Sequence, residues 1–348
     1  MHHSLGNLPR KNSSGISAFT LHLQLRGQLW LIIHKNYQIP ILSLKKSSKH
    51  HKQYIISSIN LNKASNKLIF FMTKLTIIGN GYTADFLSKE ALKKGVNVSI
   101  ITRNILEPKK NIHYYNFYDS NNVVKKLAKE NIISTVPPNE NGLDPIIKEY
   151  KKSISLNDSK IIYFSATSVY GSGIIDEETK PEPQNNRGTI RLNAEKEWLE
   201  TANKISIFRI SGIYGPKRHP MIKYVEGNNK IIIKDGYIPN RIHVEDLCSI
   251  TIQFLIEGHD NQIINISDQN KVNSYDAIKY VAKKLELQKP EIVRYNPNKV
   301  SKNIKSFYEV NRTVKCKVIE EKLKYKFKHP DYKKALLRLT KQLITSNK

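Results

Sequence analysis

The sequence predicts an α/β fold: a doubly wound parallel sheet with a smaller C-terminal lobe. Three observations point there. From Lys74 onward, short apolar runs alternate with segments of helical periodicity. A glycine-rich turn, Gly79-Asn80-Gly81, joins the first apolar run to the first helix. The strand–helix order then repeats at a length that suits crossover connections between parallel strands.

The elements follow in order. Lys74–Ile78 reads as the first strand, and the turn Gly79-Asn80-Gly81-Tyr82-Thr83-Ala84 leads into a helix ending near Lys94-Gly95, where Gly95 suits a positive-φ helix end. Residues 96–102 and 112–117 read as the second and third strands. Residues 121–129 look helical, and 132–136 form a buried strand stopped by Pro137-Pro138. A helix over 143–155 precedes a strong strand at 160–165. After residue 171 the order loosens to helix 189–203, strand Ile205–Ile210, helix 244–256, strand 263–267 and helix 274–285. Residues 212–241 and 290–332 are expected to build the smaller lobe over the carboxyl edge of the sheet, where open α/β sheets bind ligands. The expected division is an extension over 1–71, a nucleotide-binding core over 72–211, and a mixed segment over 212–348 that completes the core and forms the substrate lobe.

Residues 1–71 differ in kind. They hold ten Lys or Arg, six of the eleven histidines and no Asp or Glu. Two readings stand: an organelle transit peptide, or a start at Met72 with the upstream stretch a mis-annotated extension. The second is preferred, because Met72 stands directly before the first strand. No run reaches the roughly 20 apolar residues of a membrane helix. The expected compartment is the cytoplasm, or an organelle if the leader is real.

Net charge is +27. The lysines are scattered among Asn and Ile, all encoded by AT-rich codons, so composition is preferred over a dedicated nucleic-acid surface as their explanation. Cys248 and Cys316 are far apart, which argues against a disulfide framework or a thiolate metal site. No histidine or acid cluster has metal-ligand spacing, and no metal is expected.

Gly79-x-Gly81-x-x-Ala84 fits the dinucleotide fingerprint of a Rossmann-type sheet. Gly79 permits the tight turn, Gly81 the approach of a pyrophosphate, and Ala84 close helix–strand packing; Asn80, Tyr82 and Thr83 complete the turn. The helix N-terminus supplies free N–H groups for phosphate. At the end of the second strand, where a free 2′-hydroxyl is usually met by a carboxylate, stands Thr102-Arg103-Asn104. Arg103 suits a 2′-phosphate, so NADP(H) is expected over NAD(H). Asp119, after the third strand, is a candidate for the adenine amino group.

With this turn, the stretch IIYFSATSVYG at 161–171 resembles the extended short-chain dehydrogenase/reductases, the NAD-dependent epimerase/dehydratase group. So do the Pro183-Gln184 loop before a helix with Glu195, RISGIYGP at 209–216 and RIHVEDL at 241–247. The string GPKRHP at 215–220 resembles an atypical YeeZ-like subgroup. The resemblance implies a Ser or Thr after the strand, a Tyr-x-x-x-Lys on the next helix, and often a homodimer through helices beside the sheet. Here the three positions fall on Ala166, Arg187 and Arg191. Alanine offers no hydrogen bond, and arginine stays protonated and cannot act as a base. Arg191 keeps a charge for ribose or phosphate.

Replacement candidates are fewer. Ser165 and Ser168 flank the missing hydroxyl, and Tyr170 is expected to be structural. His219 is the candidate proton carrier beside Arg218, an anion holder. Arg241 is open to a phosphate or to pairing with Glu245 or Asp246, and His243 is expected to pack beside the helix opening at Val244. The leading expectation is an atypical NAD(P)-binding protein acting on a small, anionic or nucleotide-sugar ligand, with or without turnover. An active nucleotide-sugar epimerase or dehydratase and an RNA-associated, non-catalytic protein remain alternatives.

Overall fold

The structure is a computed structural model that describes residues 74–104, 109–259, 261–268 and 270–346. The expectations for residues 1–71 and Met72 lie outside the described residues.

Seven strands form one parallel sheet. β1 (Lys74–Ile78), α1 (Tyr82–Lys93), β2 (Asn97–Thr102) and β3 (Ile112–Asn116) build outward in one direction. The chain then returns through α2 (Ser120–Leu127) to β4 (Asn131–Ser134) on the other side of β1. It continues with α3 (Pro145–Ser155) and β5 (Ile161–Ala166), a single 3₁₀ turn (Thr167–Val169), then β6 (Gly173–Ile175), α4 (Asn186–Thr201) and β7 (Ile205–Ile210). β8 (Gly212–Tyr214), α5 (Met221–Val225), β9 (Lys230–Ile233), β10 (Arg241–His243) and α6 (Val244–Glu257) precede the last sheet strand, β11 (Ile263–Ile266). Sheet order is β11-β7-β5-β4-β1-β2-β3. The order reverses between β1 and β4, and at such a reversal the loops part and leave a crevice at the carboxyl ends.

Alternation along the strands sorts the core. Ile77, Ile100, Ile133, Ile162 and Phe208 meet Leu87 of α1 and Leu247, Ile250 and Phe254 of α6. Ile78, Ile101, Ile132, Tyr163 and Ile207 meet Val123 of α2, Ile146 and Ile154 of α3, and Trp198 of α4. A strand buried on both faces needs apolar residues at consecutive positions, which is why these strands read as unbroken runs.

The smaller lobe gathers α7 (Ser274–Lys284), β12 (Glu291–Arg294), α8 (Lys302–Tyr308), β13 (Arg312–Val314), one wide helical turn at Val318–Leu323 and α9 (Tyr332–Ser346). Its strands pair two by two, β6 with β13, β8 with β10 and β9 with β12, all parallel. Three- and four-residue pairs lack a readable alternation, and the sequence reading missed them. It also placed the start of α4 at Thr189. The helix begins at Asn186 because the Asn185 side chain accepts from the Gly188 N–H at 3.1 Å. Arg187 and Arg191 are therefore both helical, one turn apart. No described helix is long and apolar enough to cross a membrane.

Candidate active site

The glycine turn lies at the reversal of strand order. Gly79 has φ +104°, and its N–H donates to the Ile101 carbonyl at 2.9 Å, tying the turn to β2. A Cβ at Gly79 would stand 2.6 Å from Thr135 Oγ1, and that hydroxyl donates to the Ile78 carbonyl at 2.9 Å. Gly79 is thus required by the protein itself. Gly81 is different. Its backbone is ordinary extended chain (φ −88°, ψ −174°), no side chain caps α1, and a Cβ there would meet nothing within 4 Å. Open space stands before a helix N-terminus whose first N–H groups have no partner among the described residues, a fit for a phosphate. Ala84 is fully buried against the sheet, and the carbonyl of Thr83 accepts a weak contact from Cys248 Sγ.

Tyr82 leads to the second half of the site. Its hydroxyl is buried without a partner, and burial pushes its pKa up to about 12 against the lowering effect of Arg218. The exposed Arg218 guanidinium lies 5.4 Å from the Tyr82 ring centre. A Cβ at Gly215 would be 2.7 Å from the Tyr82 hydroxyl. The loop after β8 is therefore packed onto the glycine turn. Gly215 and Arg218 exchange two backbone hydrogen bonds of 3.0 Å, closing the turn that presents His219. His219 is half-buried with an unpartnered Nδ1, and burial alone pulls its pKa down to about 4. The ring is neutral at pH 7.

At the carboxyl end of β5 stands Ala166, the last residue of the strand. Arg187 is exposed, whereas Arg191 Nη1 donates to the Phe164 carbonyl at 3.0 Å and the Tyr163 hydroxyl at 3.2 Å. Ser168 keeps a buried, unpartnered Oγ. A Cβ at Gly188 would come within 2.2 Å of the Ser168 carbonyl, so the start of α4 presses directly on this turn.

Several sequence candidates are held inside the fold. Ser165 donates to Glu195 Oε1 at 2.5 Å, and Glu195 pairs with Arg209 at 2.7 Å, both nearly sealed from solvent. Arg209 also donates to the Tyr170 hydroxyl at 2.8 Å, which donates to Asn265 Oδ1 at 2.9 Å. Ser165, Arg209 and Asn265 are in register on β5, β7 and β11, forming a polar row across the sheet. Arg241 is neither open to a phosphate nor paired with an acid. It donates to the carbonyls of Pro239 (3.2 Å) and Val272 (2.7 Å) and to Ser274 Oγ (3.1 Å), and lies over the Tyr332 ring at 4.1 Å. Asp119 caps α2 through Asn122, and Arg103 is exposed just past β2.

His243 caps α6 by accepting from the Glu245 N–H at 3.2 Å and stacks on His329 at 3.5 Å. Burial first, and the charge of His329 second, pull its pKa down to about 3. With Asp246 these rings form the one group among the described residues with metal-like proximity, a juxtaposition that sequence spacing hid because His329 is remote in the chain. Asp246 accepts from Tyr325, Lys328 N and His329 N, and His329 faces Glu245 and Arg338, while His243 Nε2 is buried without a partner. The Arg338 guanidinium beside His329 adds positive charge to the cluster.

Sequence reasoning missed Arg312. Its side chain is half-buried, Nη1 donates to the Thr167 carbonyl, and Nε is buried without a partner. Nothing in the local sequence marks it, since β13 is too short to be read.

The sheet, the reversal and the lobe over it define the class: the fold is that of the NAD-dependent epimerase/dehydratases and extended short-chain dehydrogenase/reductases. Among solved structures the chain is similar to a conserved protein of unknown function from Silicibacter pomeroyi, at 27% identity and a TM-score of 0.69, over 78% of this chain and 99% of that one. It is also similar to the dTDP-glucose 4,6-dehydratase of Bacillus anthracis solved with NAD (14%, TM-score 0.62, 79% and 97%). A human epimerase family protein solved with NADPH is a third (11%, TM-score 0.59, 77% and 99%). No protein-family model matches the chain. No curated protein matches it either.

Proposed function

We propose that the chain binds a nicotinamide dinucleotide, NADP(H) in preference to NAD(H), and holds a small anionic or nucleotide-sugar ligand beside it without the tyrosine–lysine proton relay. The observation that carries this reading is the contrast within the glycine turn. Gly79 is dictated by contacts inside the protein, whereas Gly81 leaves unfilled space before a helix N-terminus. Two of the similar solved structures hold NAD and NADPH respectively, which supports the cofactor class. The dTDP-glucose dehydratase among them supports a nucleotide sugar as one ligand to test.

The residues divide the work. N–H groups of Gly81, Tyr82 and Thr83 face the phosphates, with Asn80 in the turn and Ala84 setting the distance of α1 from the sheet. Arg103 meets a 2′-phosphate, since among the described residues no carboxylate pairs with its guanidinium at the end of β2. Asp119 is left to its cap before any contact with adenine. Arg191, anchored on β5, presents fixed positive charge where the family's lysine would stand. When bound, the nicotinamide supplies hydride transfer chemistry. His219, neutral at working pH, donates or accepts a hydrogen bond at a ligand oxygen, with Arg218 balancing negative charge and Ser168 offering its free hydroxyl. Ser165 and Arg241, committed to internal partners, hold the frame.

The test is a turnover screen of NADPH and NADH against carbonyl compounds and UDP- and dTDP-sugars. A substrate consumed by the wild type but not by His219→Ala establishes an enzyme with an unconventional proton carrier. Cofactor binding without consumption establishes a sensor or scaffold. Binding of neither cofactor removes the reading.

A further inference from the structure

We propose that Arg312 is the anion-recognition residue of the ligand cleft, taking one carboxylate or phosphate group of the bound molecule. The inference rests on the reading above that a ligand lies at the carboxyl end of β5, and it names the chemistry that ligand must carry.

Arg312 carries an unbalanced charge. Arg209 is buried and has Glu195. Arg241 is buried and has two carbonyls and a hydroxyl. Arg191 has a carbonyl and a phenol. Arg312 has one carbonyl, that of Thr167, and its buried Nε has none. Among the described residues no carboxylate lies within ion-pair distance of it. Burial lowers its pKa from the usual guanidinium value, and the Tyr237 hydroxyl opposes this only weakly. A guanidinium withdrawn from water without an anion is costly, so a fold that keeps one there needs a reason.

Position supplies the reason. Thr167 directly follows Ala166, so Arg312 reaches the point where β5 ends and the cleft begins. The Ser168 hydroxyl beside it is also buried and unpartnered. α4 packs on the same short segment: Arg191 holds the Phe164 carbonyl, and Gly188 lies against the Ser168 carbonyl. Two guanidinium groups, those of Arg191 and Arg312, and the free Ser168 hydroxyl thus meet where β5 ends.

Arg312 is also held rigid. Its backbone pairs with Gly173 in the β6–β13 ladder. Asn240 grips β13 from the other side, donating to the Arg312 carbonyl at 2.8 Å and accepting from the Val314 N–H at 3.1 Å. A planar fork fixed in this way matches the two oxygens of a carboxylate or phosphate, and little entropy is lost when they bind.

The test uses the full chain, titrated by calorimetry with malonate as the carboxylate probe and UDP as the phosphate probe, each at saturating NADPH and without it. Wild type is expected to bind at least one probe. Arg312→Gln should weaken that binding by roughly tenfold to a hundredfold, with Arg312→Lys between them, because the fork is lost before the charge. NADPH affinity should be unchanged in both variants. Which probe depends on Arg312 tells carboxylate from phosphate. Equal probe affinity in wild type and Arg312→Gln overturns the proposal, as does failure of wild type to bind either probe at millimolar concentration. A fall of more than about 10 °C in the melting temperature of probe-free Arg312→Gln also overturns it, since the guanidinium would then be a strut. If probe binding depends on Arg312 while NADPH does not bind at all, this site stands and the cofactor reading falls.

Discussion

Gly81→Ala separates what the fold needs from what the ligand needs. The residue lies at φ −88° and ψ −174°, which alanine adopts freely, and the added methyl meets no heavy atom within 4 Å. Two effects act on stability: glycine is the better helix cap by roughly 0.5–1 kcal/mol, and alanine has less unfolded-state entropy to lose, worth about 0.4–1 kcal/mol in the other direction. Stability should stay within about 0.5 kcal/mol of wild type, a shift of roughly 2 °C or less for a domain of this size. Cofactor affinity should not survive so well. A methyl before the first turn of α1 pushes a pyrophosphate off the N–H groups, and losing one charge-assisted hydrogen bond costs about 1.5–3 kcal/mol, roughly tenfold to a hundredfold in Kd. Differential scanning fluorimetry reads the first quantity and calorimetry with NADPH the second. Unchanged affinity at unchanged melting temperature would refute the reasoning, because the space before Gly81 would then not be where phosphate lies.

The other perturbations follow the same logic. Gly79→Ala should do the reverse of Gly81→Ala and destabilise by about 1–3 kcal/mol, from positive φ and collision with Thr135; urea unfolding checks it. Glu195→Ala leaves Arg209 buried with only the Tyr170 hydroxyl and should cost about 3–5 kcal/mol in the same assay, so a loss below about 1 kcal/mol would remove the polar row from the account. Arg103→Asp should weaken NADPH much more than NADH, and equal losses would detach Arg103 from the 2′-phosphate. His243 titrates at about 3 in the folded chain against about 6.5 unfolded. The unfolded state therefore binds the extra proton between these values, and stability present above pH 6.5 is lost on acidification, by up to about 1.4 kcal/mol per pH unit from this group. His243→Asn keeps an acceptor for the α6 N-terminus but should flatten the slope between pH 5 and 6.5; an identical slope would show that His243 does not set it.

Much of the core was legible because its signals are local and repeated. Strands buried on both faces give unbroken runs such as Ile77-Ile78 and Ile100-Ile101, and the glycine turn marks β1 and α1 together. Boundaries moved where a side chain set them: Asp144 caps α3 and Asn185 caps α4, each shifting the start from where hydrophobic periodicity placed it. The short strand pairs of the lobe were not legible, because their partners lie from 29 to 139 residues away and each holds three or four residues. The same distance hid the site's polar partners. Ser165 reads as a free hydroxyl until Glu195 is folded against it, and Arg241 as a phosphate ligand until Val272 and Ser274 are seen to take its donors. Arg312 needed the opposite correction, an unremarkable charge in sequence that tertiary structure leaves unbalanced.

The central claim is that the reversal of strand order between β1 and β4 still holds a nicotinamide dinucleotide although the proton relay has gone. Calorimetric titration of the full chain with NADPH and NADH separately tests it most directly. Saturable one-to-one binding, tighter for NADPH, is the predicted result; no saturable heat with either nucleotide would contradict the account and leave the cleft to some other ligand.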